Sequence, residues 1–140
     1  LINSAGVLEP GEFSLMQSDK INKMIDLNFT SVLTGIQKTI VIMKTQGFGH
    51  IINIGSLGGI VPMPYSSVYS ATKFALRGFT FSIAEELKGT GVNISFETII
   101  PHSQAIPSKL LAFSPALFSK LYKILHRIGI SEKKKYLLHI

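Results

Sequence analysis

Three short apolar runs along the chain have the pattern of buried β-strands. They are Leu1–Asn3, His50–Ile54 and residues 91–100, and each is followed by small residues or by proline. Continuous runs of this length, rich in β-branched residues, are typical of strands that are covered on both faces. We therefore expect three buried strands, separated by two longer stretches of different periodicity.

Between these strands, apolar residues recur at helical spacing. From a predicted N-cap at Ser18-Asp19 the pattern continues to Gly47, and a second helical pattern extends from Ser66 to about Lys88. Asn28 lies on the apolar stripe of the first helix. A buried amide at such a position needs hydrogen-bond partners, so we expect Asn28 to be bonded inside the protein.

The order strand, helix, strand, helix, strand is typical of parallel βαβ units with right-handed crossovers and helices covering the sheet. Residues 1–107 are therefore predicted to have an α/β fold with a parallel sheet. Residues 108–140 are predicted to be a separate basic amphipathic segment with a tail. From Ser108 to Ile130 apolar residues at helical spacing are interleaved with basic residues, and Pro115 divides two short helices. Residues 131–140 are a lysine run followed by a short apolar tail, to which no element is assigned.

Composition and charge exclude several classes of function. The 140 residues are 46% hydrophobic and include no cysteine, which excludes disulfides and thiolate catalysis and favours an intracellular, cytoplasmic location. The net charge of +6 resides in the last forty residues, with seven Lys and Arg against one Glu, whereas residues 1–100 balance seven against seven. No nucleic-acid motif accompanies this basic end, and no apolar run approaches the ~20 residues of a membrane span. We expect neither a nucleic-acid partner nor a transmembrane segment.

Tyr69 and Lys73 are the most informative pair in the sequence. They stand four positions apart in a predicted helix, so a phenol and an ammonium share one face. A nearby ammonium favours the phenolate form of a tyrosine, which suits such a pair to acid/base catalysis, although a helix can also carry the two residues by chance.

Ser56 follows the second strand at the carboxyl edge, where open parallel sheets bind ligands. Ile54 replaces the glycine that a nucleophilic serine requires two positions earlier, so we interpret Ser56 as a hydrogen-bonding residue.

Four features follow one another along the chain: Asn3-Ser4-Ala5-Gly6, Asn28, Ser56 and Tyr69-x-x-x-Lys73. In this order they resemble the short-chain dehydrogenase/reductase family over residues 1 to about 101. The thirteen-residue step from Ser56 to Tyr69 is the most specific part of the resemblance. The resemblance implies a partial Rossmann-type doubly wound parallel sheet in residues 1–107. The chain would begin at the family's fourth strand, with three strands and a phosphate-binding loop expected upstream. It also implies an NAD- or NADP-dependent oxidoreductase that interconverts an alcohol and a carbonyl.

The resemblance implies a role for each of four catalytic residues. Tyr69 would exchange a proton with the substrate oxygen, and Lys73 would support Tyr69 and bind the nicotinamide ribose. Ser56 would orient and polarise the substrate oxygen, and Asn28 would hold the water that links Lys73 to solvent. The implied cofactor contacts come from Asn3, Ala5, Gly6, Tyr69, Lys73 and Pro101.

Two departures from the family leave a competing interpretation open. No glycine-rich phosphate loop stands between a strand and a helix, and the family's Pro-Gly after its sixth strand is Pro101-His102 here. The alternative hypothesis is therefore a non-catalytic Rossmann remnant or protein-interaction module that does not bind a cofactor. We interpret His102 as a loop substitution. The four histidines, at positions 50, 102, 126 and 139, lack metal-ligand spacing, so no metal site is predicted.

The basic segment 109–127 lies where the family carries its variable substrate lid. Its apolar stripe would cover an apolar alcohol or carbonyl compound, such as a lipid, retinoid or steroid, or lie on an anionic membrane surface. In the predicted helices at residues 28–46 and 66–88, apolar residues cover more than one stripe. Family members commonly pair these helices, so we expect a homodimer or homotetramer of the complete protein and no activity from residues 1–140 alone.

Overall fold

Three parallel strands form one sheet in the computed structural model, which describes residues 1–99. Strand β1 comprises Ile2–Asn3, β2 comprises Gly49–Ser56 and β3 comprises Val92–Ile99. Their order in the sheet is β1-β2-β3, with Asn3 opposite Asn53 and Ser56 opposite Ile99. The three predicted strands are confirmed, and β2 is longer at both ends than the sequence indicated.

The connections between the strands are helical, as predicted. The first contains α1, Ser18–Ile25, a π-helical turn at Asp26–Thr30 and α2, Ser31–Gln46, which follow one another without a break. The second contains α3, Ser67–Glu86. The structure therefore confirms both helical regions and adds a feature that the periodicity did not reveal. A π-helical turn interrupts the first region where Asn28 stands.

The start of α1 differs from the prediction by one residue. Gln17, in an extended conformation, occupies the N-cap position, and its side chain makes no capping bond. Its carbonyl accepts hydrogen bonds from the backbone N–H groups of Lys20 and Ile21 at 3.1 and 3.2 Å. The predicted Ser18-Asp19 cap is therefore wrong, because the helix already includes Ser18.

One hydrophobic cluster joins the sheet to both long helices. Its buried members are Val32 and Ile36 of α2, Ile51 of β2 and Leu76 of α3. The partly buried side chains packed against it are Phe29, Ile40, Met43, Phe79, Ile94 and Phe96. Since α2 and α3 share this cluster with β2, both helices cover the same face of the sheet. Parallel strands with helical crossovers confirm the predicted α/β, Rossmann-like fold.

A chain of buried polar side chains crosses the same face. The Asn3 amide Nδ2 donates to Asn53 Oδ1 at 2.8 Å, and Asn53 Nδ2 donates to Thr80 Oγ1 at 2.9 Å. Thr80 Oγ1 in turn donates to the Leu76 carbonyl at 2.7 Å. Asn53 and Thr80 are fully buried, where an unpaired polar group would be costly, so these bonds fix β1 and β2 relative to α3.

Several predictions fall outside the residues that the structure describes. They are Pro101 as a cofactor contact, His102 as a loop substitution, the boundary at 107/108 and the basic segment 108–140. Within residues 1–99, no helix is long and apolar enough to cross a membrane.

Candidate active site

The carboxyl ends of β1 and β2 carry the candidate catalytic residues to one edge of the sheet. The loop from Ser4 to Gly6 follows β1, and Ser56 is the last residue of β2. Tyr69 and Lys73 stand in the first two turns of α3. The elements predicted from the sequence thus bring these residues to the place where open parallel sheets bind ligands.

Lys73 has its charged group inside the protein. The residue is 3% exposed, and its Nζ donates to the Ile54 carbonyl at 3.3 Å. The same nitrogen lies 5.8 Å from the centre of the Tyr69 ring, within the range of a cation–π contact. Burial lowers the pKa of the Lys73 ammonium below its ordinary value of 10.5. The predicted Tyr69–Lys73 pairing is therefore present as a contact between ring and ammonium.

Ser56 reaches the same site through a short turn. Its Oγ accepts a hydrogen bond from the Gly58 backbone N–H at 3.2 Å. Gly58 is packed so closely against Tyr69 that a Cβ placed on it would be 3.3 Å from the ring carbon Cε1. The turn that holds the serine hydroxyl therefore lies along the edge of the Tyr69 ring.

Gly59 sets the distance between this turn and α3. A Cβ on Gly59 would be 2.9 Å from the carbonyl oxygen of Lys73 and 3.1 Å from its carbonyl carbon. These are backbone atoms of a helix, so they cannot move away without shifting α3. A glycine is needed at this position, because any side chain would displace the helix that carries Tyr69 and Lys73.

Asn28 is fully buried and bonded, as its place on an apolar stripe predicted. Its Oδ1 accepts from the Val7 backbone N–H at 2.7 Å, and its Nδ2 donates to the Val7 carbonyl at 2.8 Å. The side chain thus ties the π-helical turn to the loop after β1. The proposed role of Asn28 in holding a water beside Lys73 stays a prediction, since the side-chain bonds are directed to Val7 and α3.

Thr72 is a residue of the site that the sequence pattern did not indicate. It is buried, its Oγ1 donates to the Tyr69 carbonyl at 2.7 Å, and it accepts from Asn28 Nδ2 at 3.3 Å. The hydroxyl of a threonine in a helix can donate to the backbone carbonyl three or four residues earlier. The bond from Thr72 to Tyr69 could therefore have been expected from the sequence. The bond to Asn28 spans 44 residues, and no local pattern indicates it.

The loop after β1 suits the close approach of a flat ligand. Ala5 and Gly6 are exposed, and a Cβ on Gly6 would be 3.2 Å from Asn28 Oδ1 and 3.3 Å from Lys73 Nζ. A side chain there would fill the space in front of both polar atoms. A cavity of about 200 Å³ opens beside the loop, lined by Ile2, Asn3, Ser4, Ala5, Leu27, Ser31 and Val32.

These features fit the nicotinamide side of a dinucleotide, with Ala5, Gly6, Tyr69 and Lys73 as the residues that would contact it. Asn3 Nδ2 is bonded to Asn53 Oδ1 within the sheet, and Asn3 also lines this cavity. Its contact with the cofactor stays a prediction. Among residues 1–99, no group of three or more His, Asp or Glu could hold a metal ion.

Comparison with known proteins shows which family this chain is similar to. The sequence model of the family described as short chain dehydrogenase matches residues 1–102. An uncharacterized oxidoreductase of Staphylococcus saprophyticus is 39% identical over 101 residues, which cover 72% of this chain and 41% of that protein. A 3-alpha-(or 20-beta)-hydroxysteroid dehydrogenase of Mycobacterium bovis is 38% identical over 95 residues, covering 68% of this chain and 36% of the relative.

Among solved structures, the crystal structure of serine dehydrogenase from Escherichia coli is similar, with a TM-score of 0.65 and 31% identity. The match covers 68% of this chain and 44% of that one. The chain thus spans about two fifths of the length of the curated relatives that it matches.

The contact between Gly59 and α3 gives a testable prediction. We expect Gly59→Ala to lower the free energy of unfolding by about 1–3 kcal/mol, because its Cβ would collide with backbone. Gly78→Ala is the control, since Gly78 lies inside α3 and a Cβ there has no heavy atom within 4 Å. That change is expected to stabilise the helix by up to about 1 kcal/mol. Urea unfolding of both variants measures the difference, and equal effects would contradict the packing at Gly59.

Proposed function

Because the chain belongs to the short-chain dehydrogenase family, we propose that it carries the acid/base site of an NAD(P)-dependent oxidoreductase. The reaction is the interconversion of an alcohol and a carbonyl compound. The observation that carries this proposal is the buried Lys73 ammonium against the Tyr69 ring, at the edge of the sheet where Ser56 ends β2. Since the chain spans about two fifths of its curated relatives, the activity is proposed for the full natural chain.

Tyr69 is the proposed general acid and base. Its phenol donates a proton to the substrate oxygen when a carbonyl is reduced, and the phenolate accepts that proton back when an alcohol is oxidised. The Lys73 ammonium stabilises the negative charge that remains on the tyrosine oxygen after donation. Support for this role comes from the burial of Lys73, since a charge in a less polar environment acts more strongly on its neighbour.

Ser56 is the proposed hydrogen-bond donor to the substrate oxygen. Its Oγ already accepts the Gly58 N–H, and this bond holds the oxygen atom to the turn in which Gly58 packs against the Tyr69 ring. The hydroxyl proton of a serine whose oxygen is held in this way can be directed at a substrate oxygen. A donor held in advance lowers the barrier because no reorganisation is needed as charge develops.

NAD or NADP is the proposed cofactor, and it supplies or accepts the hydride when bound. Ala5 and Gly6 form the exposed surface on which the nicotinamide part would lie, and Lys73 Nζ is the donor available to its ribose. Asn28 holds the loop in place through Val7. The described residues carry the nicotinamide side of such a site, whereas the phosphate-binding side is expected from other parts of the full natural chain.

An apolar alcohol or carbonyl compound is the proposed substrate class. The segment Ile60–Met63 between Ser56 and α3 is apolar and partly exposed, and Met63 packs against Gly58 beside the Tyr69 ring. Two similar proteins are named as hydroxysteroid dehydrogenases, those of Mycobacterium bovis and Mediterraneibacter gnavus. A steroid-like alcohol or ketone agrees with both observations.

We propose self-association through α2 and α3. Both helices expose large apolar side chains: Val41 and Ile42 on α2 are 65% and 59% exposed, and Phe81 on α3 is 53% exposed. Helix faces of this kind are commonly covered by another subunit.

Sedimentation of the full natural chain is expected to show a dimer or tetramer at micromolar concentration, and Val41→Glu with Phe81→Glu should shift it toward monomer. A wild-type protein that remains monomeric would contradict this assembly.

The central test of the function is Tyr69→Phe in the full natural chain. The change removes one hydroxyl and keeps the ring over Lys73, so we expect turnover to fall by about 100- to 10,000-fold while cofactor affinity is nearly unchanged. Activity is followed by the absorbance of NADH and NADPH with hydroxysteroids and ketosteroids. Ser82→Ala is the control, because it removes an exposed hydroxyl from the same helix.

Two outcomes would contradict the proposal. A Tyr69→Phe variant with near-normal turnover would remove the phenol from the mechanism. A folded wild-type protein that binds neither cofactor would favour the alternative of a non-catalytic Rossmann remnant.

A further inference from the structure

We propose that Thr72 is a positioning residue, which ties the backbone of Tyr69 to the loop that receives the nicotinamide. This inference rests on the proposed function, since it concerns the geometry between the proton donor and the cofactor loop. It is carried by three residues whose side chains or backbone are bonded in series: Thr72, Asn28 and Val7.

The first link is the Thr72 hydroxyl. Its single proton is directed at the Tyr69 carbonyl, 2.7 Å away, so that its oxygen can act only as an acceptor toward other groups. The amide nitrogen of Asn28 supplies the matching donor at 3.3 Å. Thr72 thereby selects the nitrogen end of the Asn28 amide and leaves its oxygen to face the other way.

The second link is the amide of Asn28. The Asn28 nitrogen donates to Thr72 Oγ1 and to the Val7 carbonyl. The Asn28 Oδ1 accepts the Val7 N–H at 2.7 Å. A Cβ on Gly6 would be 3.2 Å from the same oxygen and 3.3 Å from Lys73 Nζ. The loop residue next to Gly6 is thus hydrogen-bonded, through one amide and one hydroxyl, to the residue that donates the proton.

Burial makes this connection effective. Asn28 is fully buried and Thr72 is 4% exposed, so water cannot easily replace either bond. Proton and hydride must reach neighbouring atoms of one substrate, and small displacements of reacting groups reduce rates strongly. The two buried bonds therefore hold the Tyr69 backbone and the cofactor loop at a fixed distance from each other.

Thr80 offers a matched comparison in the same helix. Its hydroxyl also donates to a helix carbonyl, that of Leu76, and also accepts from a buried asparagine amide, that of Asn53. The chemistry of the two threonines is therefore alike, but the Thr80 chain leads into the sheet. A loss of stability should follow from changing either threonine, whereas a loosened cofactor loop should follow only from changing Thr72.

The experiment compares Thr72→Val, Thr72→Ser and Thr80→Val in the full natural chain. The readouts are amide hydrogen exchange at Val7 by NMR, corrected for global stability, and kcat and KM with the best steroid substrate. We expect Thr72→Val to speed Val7 exchange and lower kcat, each by about tenfold, with little change in KM. Thr72→Ser should restore both toward wild type, and Thr80→Val should lower the melting temperature without the Val7 effect.

The outcomes separate this inference from the proposed function. If Thr72→Val loses stability but keeps normal Val7 exchange, or keeps normal kcat in an active enzyme, Thr72 has a structural role only and the inference is wrong. Val7 exchange is measured without substrate, so the connection to the loop is tested even in a protein that turns over nothing. An inactive wild type with fast Val7 exchange in Thr72→Val would overturn the proposed function and leave the connection itself supported.

Discussion

A lysine ammonium buried at the edge of a sheet is the constraint on which the rest of the site depends. Lys73 is 3% exposed, so its charge has lost most of its water and needs oxygen atoms and an aromatic face in exchange. The Ile54 carbonyl and the Tyr69 ring provide them. Both are available only because Gly59 has no side chain, which allows α3 to lie against the turn after β2.

The same burial has a consequence for stability. The pKa of Lys73 in the folded protein lies below its ordinary value of 10.5, and desolvation is the cause. Between the two values the unfolded state binds more protons than the folded state, so stability rises as the pH increases through that interval. Below the interval the buried charge lowers stability. The packing of α2, β2 and α3 in one hydrophobic cluster offsets this loss of folding free energy.

The sequence predicted the features that depend on local pattern. The strands, both helical regions and the placement of Ser56, Tyr69 and Lys73 at one edge follow from periodicity and from a specific spacing. It did not predict the π-helical turn at Asp26–Thr30, because that turn leaves the apolar stripe of the helix recognisable. The bond from Asn28, which lies within this turn, to Thr72 was also missed, since it joins residues that are 44 positions apart in the sequence.

The most direct test of the account is the titration of Lys73 itself. In the full natural chain, NMR of lysine side chains labelled at Cε and Nζ would follow the ammonium, with Lys73→Met identifying its signal. We expect a midpoint below 10.5, which persists in Tyr69→Phe because burial rather than the phenol causes the shift. A midpoint at 10.5 would mean that the ammonium is hydrated, and a midpoint above 10.5 would mean that interactions favouring the charged form outweigh desolvation. Either result would contradict the desolvated ammonium beside Tyr69 on which the proposed chemistry depends.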